Sequence, residues 1–366
     1  MSSSFKLRRR IDATIPIIAL ALSVFGLVMI LSSSQVLGAE TYGNSYYFFV
    51  RQLISWVIGV GLFFYLLRVP LETLFANRLN FLWLTIILLA LVFVPVIGPK
   101  IAEVHRWIDL GIFRFQPAEL AKLFLVIYFA GWFAAKGELI KDPVKGLLPF
   151  AVVISLLMLL IIAEPDLGTA FVIIVTALIM FFVAKANPWQ FGALVIAGVL
   201  TLIVVIYAAP YRLSRLTGFL GGGEALEASY HSQQALIAIG SGGLWGVGFG
   251  QGTSKYAYLP QSHTDSIFAV IAEELGFVRA SLIILGFLYL AWRGFMIARA
   301  ANSRFVQLLA VGITTSILLQ AMVNIGGMLN LIPLTGVPLP LVSYGGSSLV
   351  ATLGALGLLT NISRET

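Results

Sequence analysis

The sequence predicts an all-α integral membrane protein with ten transmembrane helices, and three observations carry that reading. Of 366 residues, 59% are hydrophobic and only 11% charged, with a mean hydropathy of +0.98; a soluble domain is about one-quarter charged. Apolar runs recur at 15–31, 53–67, 81–98, 118–135, 146–163, 167–184, 191–209, 266–292, 305–323 and 346–360, and roughly 20 apolar residues cross a bilayer. Basic residues are also distributed unevenly. The N-terminal side of the alternating loops holds 14 Lys/Arg, the other side seven, although the second side is longer. Positive charge is retained in the cytoplasm, so both termini are expected there.

The chain reads as a single polytopic domain over 1–366, with cytoplasmic ends at 1–14 and 361–366. It opens on FKLRRR before the first apolar run. That start resembles a signal peptide, but nine further spans make it a retained first helix. The net charge of +7 follows from topology, since the basic residues are scattered over several loops, and no nucleic-acid partner is expected. The absence of cysteine excludes disulfides and thiolate metal sites.

The second span is short and borrows its flanks, Arg51 and Arg68. Spans three and four are separated by an external loop, 99–117, that carries Arg106 and Arg114. The fourth span starts QPAELAK, in which Glu119 and Lys122 stand three apart on one helix face. They are either a self-neutralising pair at a helix end or part of a site, because ionisable residues inside spans are functional candidates by default. Spans five and six are joined by a very short external turn, AEPDLGTA, with Glu164 and Asp166 bracketing Pro165. Two carboxylates that close can hold a cation, and turns also carry acids for no such reason.

Between spans seven and eight lies a large external loop, 210–265. Loops of that length in a compact fold are usually functional. It holds Arg212, Arg215, a helical stretch at about 229–240 and glycines at 240, 242, 243, 246, 248, 250 and 252. It is either an amphipathic helix on the outer leaflet with a flexible turn, or a lid dipping toward a central site. It ends in LPQSHTDSIFAVIAEELG (259–276). There Asp265 is expected at a helix N-terminus, where free amides and the helix dipole favour a carboxylate. Glu273 follows eight residues on, rotated about 80°, and Glu274 faces the opposite way; Arg279 is the candidate partner for one of them. The stretch NLIPLTGVPLPLVSYGGSS (330–348) contains no charge, while Pro333, Pro338 and Pro340 forbid a continuous helix. Irregular backbone at membrane depth must be buried or line a cavity, so a re-entrant segment is expected before the tenth helix.

Spacing alone leaves two readings of these residues: a proton-coupled transporter, or an enzyme acting on a phosphorylated lipid. A resemblance chooses. HRWIDLGIFRFQPAELAK (105–122), AEPDLGTA (163–170), YHSQQALIAIGSGGLWGVGFGQG (230–252), LPQSHTDSIFAVIAEELG (259–276) and NIGGMLNLIPLTGVPLPLVSYGGSS (324–348) together resemble the SEDS family of bacterial cell-wall proteins. The order is the same and essentially the whole chain is covered. Within that FtsW/RodA type the chain is closer to FtsW, the division branch. One departure is visible: GFLGGGEALEASYHSQQ (218–234) lacks the expected Asp-Pro-Trp-type sequence.

The resemblance implies a peptidoglycan glycosyltransferase in the cytoplasmic membrane that polymerises lipid II on the outer face. Its partners would be a class B penicillin-binding protein transpeptidase and other divisome membrane proteins. The family's essential aspartate matches Asp265, and its cavity-lining pair matches Glu119 and Lys122. Arg106, Arg212 and Arg215 become candidate pyrophosphate contacts, with or without a divalent cation (Mg or Mn). His263, Thr264, Glu164, Asp166, Glu273, Ser343 and Tyr344 complete the candidate substrate-binding set. A lipid II flippase using the same charged cavity is the competing reading, and a RodA-type elongation role the nearer alternative.

Overall fold

The computed structural model describes residues 12–94, 97–99, 105–109, 114–220, 226–256 and 259–365. The N-terminal FKLRRR and residues 221–225, within the departure at 218–234, lie outside them. Ten apolar helices match the ten runs: α1 (Thr14–Tyr42), α2 (Tyr47–Leu66), α4 (Arg78–Leu91), α5 (Pro117–Lys136), α6 (Leu148–Ala163), α7 (Leu167–Val183), α8 (Pro188–Tyr207), α11 (Ile267–Ala300), α12 (Arg304–Met328) and α13 (Gly346–Ile362). Three shorter helices join them: α3 (Leu71–Ala76), α9 (Pro210–Phe219) and α10 (Leu226–Ser241).

The helix ends depart from the apolar runs where the protein, rather than lipid, surrounds the chain. α1 continues to Tyr42, through SSSQVLGAETY, and stops where Gly43 turns left-handed at φ 65°. Ser32, Ser33 and Ser34 are buried against neighbouring elements, so their hydroxyls need no water. α5 and α12 form the centre of the bundle, while α8 presents Ile196, Val199, Leu200 and Val204 outward, as a lipid-facing helix does. At one end Phe129, Phe133, Phe150 and Phe181 fill the core, with Phe150 and Phe181 stacked at 4.8 Å. Packing of this kind holds helices together where lipid is as apolar as the core.

The loops at the opposite end converge. The 99–117 loop contains a two-residue antiparallel ladder, β1 (Ile108–Asp109) with β2 (Arg114–Phe115), which the sequence did not suggest. Gln116 N donates to Ser347 Oγ, and Tyr344 N donates to His263 O. The proline stretch is irregular, as expected, and it is internal: Val337, Leu339, Leu341, Val342 and Ser343 are buried. Its carbonyls find side-chain amides. Gln320 Nε2 donates to Pro338 O, Asn324 Nδ2 to Val337 O, and Gln52 Nε2 to Ser343 O.

The Gly-rich stretch is a strap laid into a break in α11. Gly276 sits at φ 81°, ψ 173°, which interrupts that helix. Val247 N and Gly248 N donate to Glu273 O and Glu274 O, while Phe277 N and Val278 N donate to Gly243 O and Leu244 O. Four backbone groups orphaned by the break are thereby satisfied. This corrects the expected roles of both glutamates. Glu273 is buried and accepts from Thr253 N, Thr253 Oγ1 and Ser254 N. Glu274 pairs with Lys255 Nζ at 2.8 Å and accepts from Ser32 Oγ and Gly250 N. Its partner is therefore Lys255 rather than Arg279, which donates to Trp245 O. Both carboxylates anchor the strap, and neither lines the cavity described below.

Candidate functional site: a carboxylate in an open cavity

A cavity of about 690 Å³ opens between α9, α10, α12 and the proline stretch. Asp265 is its carboxylate. The expected helix-capping position is not where it sits: α11 starts at Ile267, with Ser266 at the cap position and no side-chain cap bond. Among the described residues no hydrogen bond reaches the Asp265 carboxylate. A Cβ built on Gly336 (φ 75°) would stand 3.4 Å from Asp265 Oδ2, so the missing side chain leaves the carboxylate facing open space. The main chain beside it is held firmly. Asn324 Nδ2 donates to Asp265 O at 2.8 Å, and Ser266 Oγ donates to Pro260 O at 2.9 Å while lying 2.7 Å from His231 Nε2.

Burial raises the Asp265 pKa to about 6; Arg215, and less strongly Arg106, act against that, and Asp166 adds to it. A carboxylate at that value is mostly ionised at neutral pH, yet close enough to it to accept a proton usefully. Arg215 is exposed on α9, donates to Leu334 O at 3.4 Å, and is the one Lys or Arg among the described lining residues.

The remaining candidates stand elsewhere. Arg106 clamps the turn between α6 and α7, its Nε donating to Glu164 O at 2.7 Å and its other nitrogen to Pro165 O. In that turn Asp166 caps α7 through Thr169 and accepts from Gln116 Nε2 at 3.1 Å. Glu164 is fully buried with both carboxylate oxygens unpartnered among the described residues. Burial and the neighbouring Asp166 push its pKa to about 9, so it is a neutral acid at physiological pH. Arg212 is committed to Val205 O and Ile162 O.

Glu119 and Lys122 form the expected pair, Nζ to Oε2 at 2.8 Å, but they do not line the Asp265 cavity. They border a separate void of about 30 Å³ between α5, α12 and α13. Lys122 Nζ reaches Gln320 Oε1 at 2.5 Å, one helical turn from Asn324. The pair thus meets the Asp265 turn indirectly, through α12 and, by way of Gln320 and Pro338, through the proline stretch. His263, Ser343 and Tyr344 are packing residues: the His263 ring lies 4.5 Å from Phe48 and 5.5 Å from Tyr344, and Ser343 Oγ accepts from Leu339 N. Burial lowers the His263 pKa to about 4, so it is neutral. Thr264 Oγ1 donates to Gln261 O and stays within its own turn.

A divalent cation does not fit the donors in the cavity. Among the described residues no cluster of three His, Asp or Glu side chains forms, and Asp265 has no second carboxylate beside it on the cavity wall.

A family model described as "Cell cycle protein", covering FtsW, RodA and SpoVE, matches residues 12–366. The chain belongs to this family. It is 38% identical over 354 residues to stage V sporulation protein E of Bacillus subtilis, covering 96% of this chain and 97% of that one. It is 38% identical over 359 residues to the probable peptidoglycan glycosyltransferase FtsW of Escherichia coli, covering 97% and 86%. Among solved structures, a chain of a peptidoglycan synthase complex superposes with a TM-score of 0.78 at 27% identity, covering 97% and 98%. The rod shape determining protein RodA of Thermus thermophilus gives 0.71 at 28%, covering 97% of each chain.

Within this FtsW/RodA/SpoVE chain, the sequence reading had missed most of the described lining apart from Asp265 and Arg215, including His231, Gln261, Asn324 and Thr335. Gln261, Asn324 and Thr335 are uncharged, so a search for ionisable groups passes over them. His231 had a signal, a histidine within the expected helical stretch of a loop already marked as functional. Nothing in its spacing tied it to Ser266, 35 residues away.

Proposed function

We propose that this protein is a peptidoglycan glycosyltransferase that polymerises lipid II at the outer face of the bacterial cytoplasmic membrane. The observation that carries the reading is Asp265: a carboxylate with no hydrogen bond from the described residues and its pKa raised to about 6, set in a cavity of about 690 Å³ whose described lining includes Arg215. In the reaction, the 4-hydroxyl of the acceptor sugar attacks the anomeric carbon of the donor. Its oxygen forms the new bond to carbon as the carbon–oxygen bond to pyrophosphate breaks. The electron pair leaves with undecaprenyl pyrophosphate, and Asp265 takes the hydroxyl proton. An α-linked donor then gives a β-linked product by inversion, with no covalent enzyme intermediate. General-base help of this kind contributes about 10²–10⁴-fold.

Charge builds on the leaving pyrophosphate, and a fixed cation stabilises it. Arg215 is placed for that role. Arg106 and Arg212 are held by backbone carbonyls away from the cavity lining, and Lys122 borders a separate void, so none of the three is placed to meet the phosphates. The likeness to a chain of a peptidoglycan synthase complex that coordinates polymerization and crosslinking supports a cross-linking partner, in this reading a class B penicillin-binding protein, and the likeness to FtsW supports septal synthesis. Both termini lie in the cytoplasm in this reading, which places the cavity outside.

The test uses purified protein with its cognate transpeptidase and lipid II in detergent. Wild type should make glycan chains resolved on a gel, and folded Asp265→Asn should make none. Equal polymer from both removes Asp265 as the base. No polymer from wild type, with lipid II crossing liposome membranes instead, replaces the polymerase with a flippase.

A further inference from the structure

We propose that His231 is a positioning residue for Asp265, and that it acts through Ser266. The inference rests on the polymerase reading above. His231 lies on α10, in the large loop, 34 residues before Asp265 in the chain, and lines the same cavity. Its Nε2 is 2.7 Å from Ser266 Oγ, and Ser266 Oγ is 2.9 Å from Pro260 O.

A serine hydroxyl has one proton. Pro260 O can only accept, so that proton is on the Pro260 side, and Ser266 must accept from His231. His231 is therefore an Nε2–H donor, and it stays one whether neutral or protonated. The chain His231–Ser266–Pro260 closes the turn 260–266 on one side. On the other, Asn324 Nδ2 donates to Asp265 O. The Asp265 main chain is thus gripped from α12 and from α10, while its carboxylate accepts nothing from the described residues. The α12 grip belongs to the bundle. The α10 grip belongs to the loop, so the geometry of the base is complete only when α10 is docked.

The groups that face Asp265 are Arg215 from α9, Arg106 from the 99–117 loop and Asp166 from the turn before α7. None of them hydrogen-bonds to His231 Nε2 or Ser266 Oγ, although burial and, after it, Arg215 lower the His231 pKa. Losing the α10 link frees the turn without removing any of these charges.

The experiment measures initial polymerisation rates of the full chain with its cognate transpeptidase, across pH 4.5 to 8. His231→Ala should lower kcat by about 10–100-fold, the scale of an ångström-sized misplacement, with little change in KM. Its acid limb should move below about 6 as the carboxylate gains water. His231→Gln, which keeps a donor at the ε position, should recover most of the rate. Ser266→Ala should repeat the His231→Ala loss, and the double variant should fall no further, because both remove one link. Thermal unfolding in detergent identifies any variant that fails to fold, and Ser266→Ala, the smaller change, then decides. Wild-type rates from folded His231→Ala, an equal loss in His231→Gln, or an unmoved acid limb would overturn the inference alone. No polymer from wild type overturns it together with the polymerase reading.

Discussion

Gly276→Ala is expected to dislodge the strap from the break in α11. Gly276 holds φ 81°, ψ 173°, a region that only glycine occupies without strain. An added Cβ would stand 2.3 Å from Gly246 N, 2.4 Å from the Trp245 carbonyl carbon and 2.6 Å from Leu244 O. All three are backbone atoms and cannot rotate aside, so the strap must move by about 1 Å to reach ordinary van der Waals contact. That displacement breaks the four backbone hydrogen bonds between 243–248 and 273–278. Each contributes about 1 kcal/mol net and the strained backbone about 1–3 kcal/mol, giving a loss of about 5–7 kcal/mol. In thermal unfolding of the purified protein in detergent, the midpoint should fall by about 6–9 °C. Gly61→Ala is the control: nothing lies within 4 Å of a Cβ there, and alanine should be neutral or slightly stabilising in the interior of α2. A midpoint for Gly276→Ala within about 2 °C of wild type, with undiminished glycan synthesis, would refute the account of the strap.

Three further outcomes follow from the charges. Arg215→Gln removes the main interaction that holds the Asp265 pKa down; the pKa therefore rises, and the acid limb of the pH–rate profile should move to higher pH as kcat falls. Lys255→Met leaves Glu274 buried without its cation, which should cost about 3–5 kcal/mol in detergent unfolding, whereas Lys255→Met combined with Glu274→Met should recover much of that loss. Glu164 titrates near 9 when folded, above its ordinary 4.5. Keeping it neutral therefore costs stability increasingly as pH rises through that window, and Glu164→Gln should melt higher than wild type by a margin that grows from pH 5 to pH 8.

Much of the architecture was legible in the chain because lipid enforces it. All ten apolar runs became helices, since no other open backbone can satisfy its hydrogen bonds in hydrocarbon. The prolines and uncharged side chains of 330–348 also announced a segment that is neither helix nor surface loop, and the motif drew attention to Asp265, which lies on the cavity wall. The departures share a cause. Glu119, Lys122, Glu273 and Glu274 were suspected because charge in a span is costly; the first two pair with each other, Glu274 pairs with Lys255, and Glu273 is held by hydrogen bonds from Thr253 and Ser254. Cost alone does not say whether the compensating group is a ligand or another part of the chain. For Glu274 that group is Lys255, 19 residues back and past a glycine strap whose course depends on the break at Gly276.

The sequence by itself therefore determined the number of spans, their alternation, and which aspartate stands at the mouth of the eighth, because hydropathy and local backbone chemistry act over a few turns of chain. Only the tertiary structure decided which charged residues share a cavity with Asp265. Arg215 does, while Arg106, Arg212, Glu119 and Lys122 do not, and His231 and Asn324 join from α10 and α12. Those choices depend on hydrogen bonds between groups 35 to 59 residues apart, which close only when the whole bundle has packed.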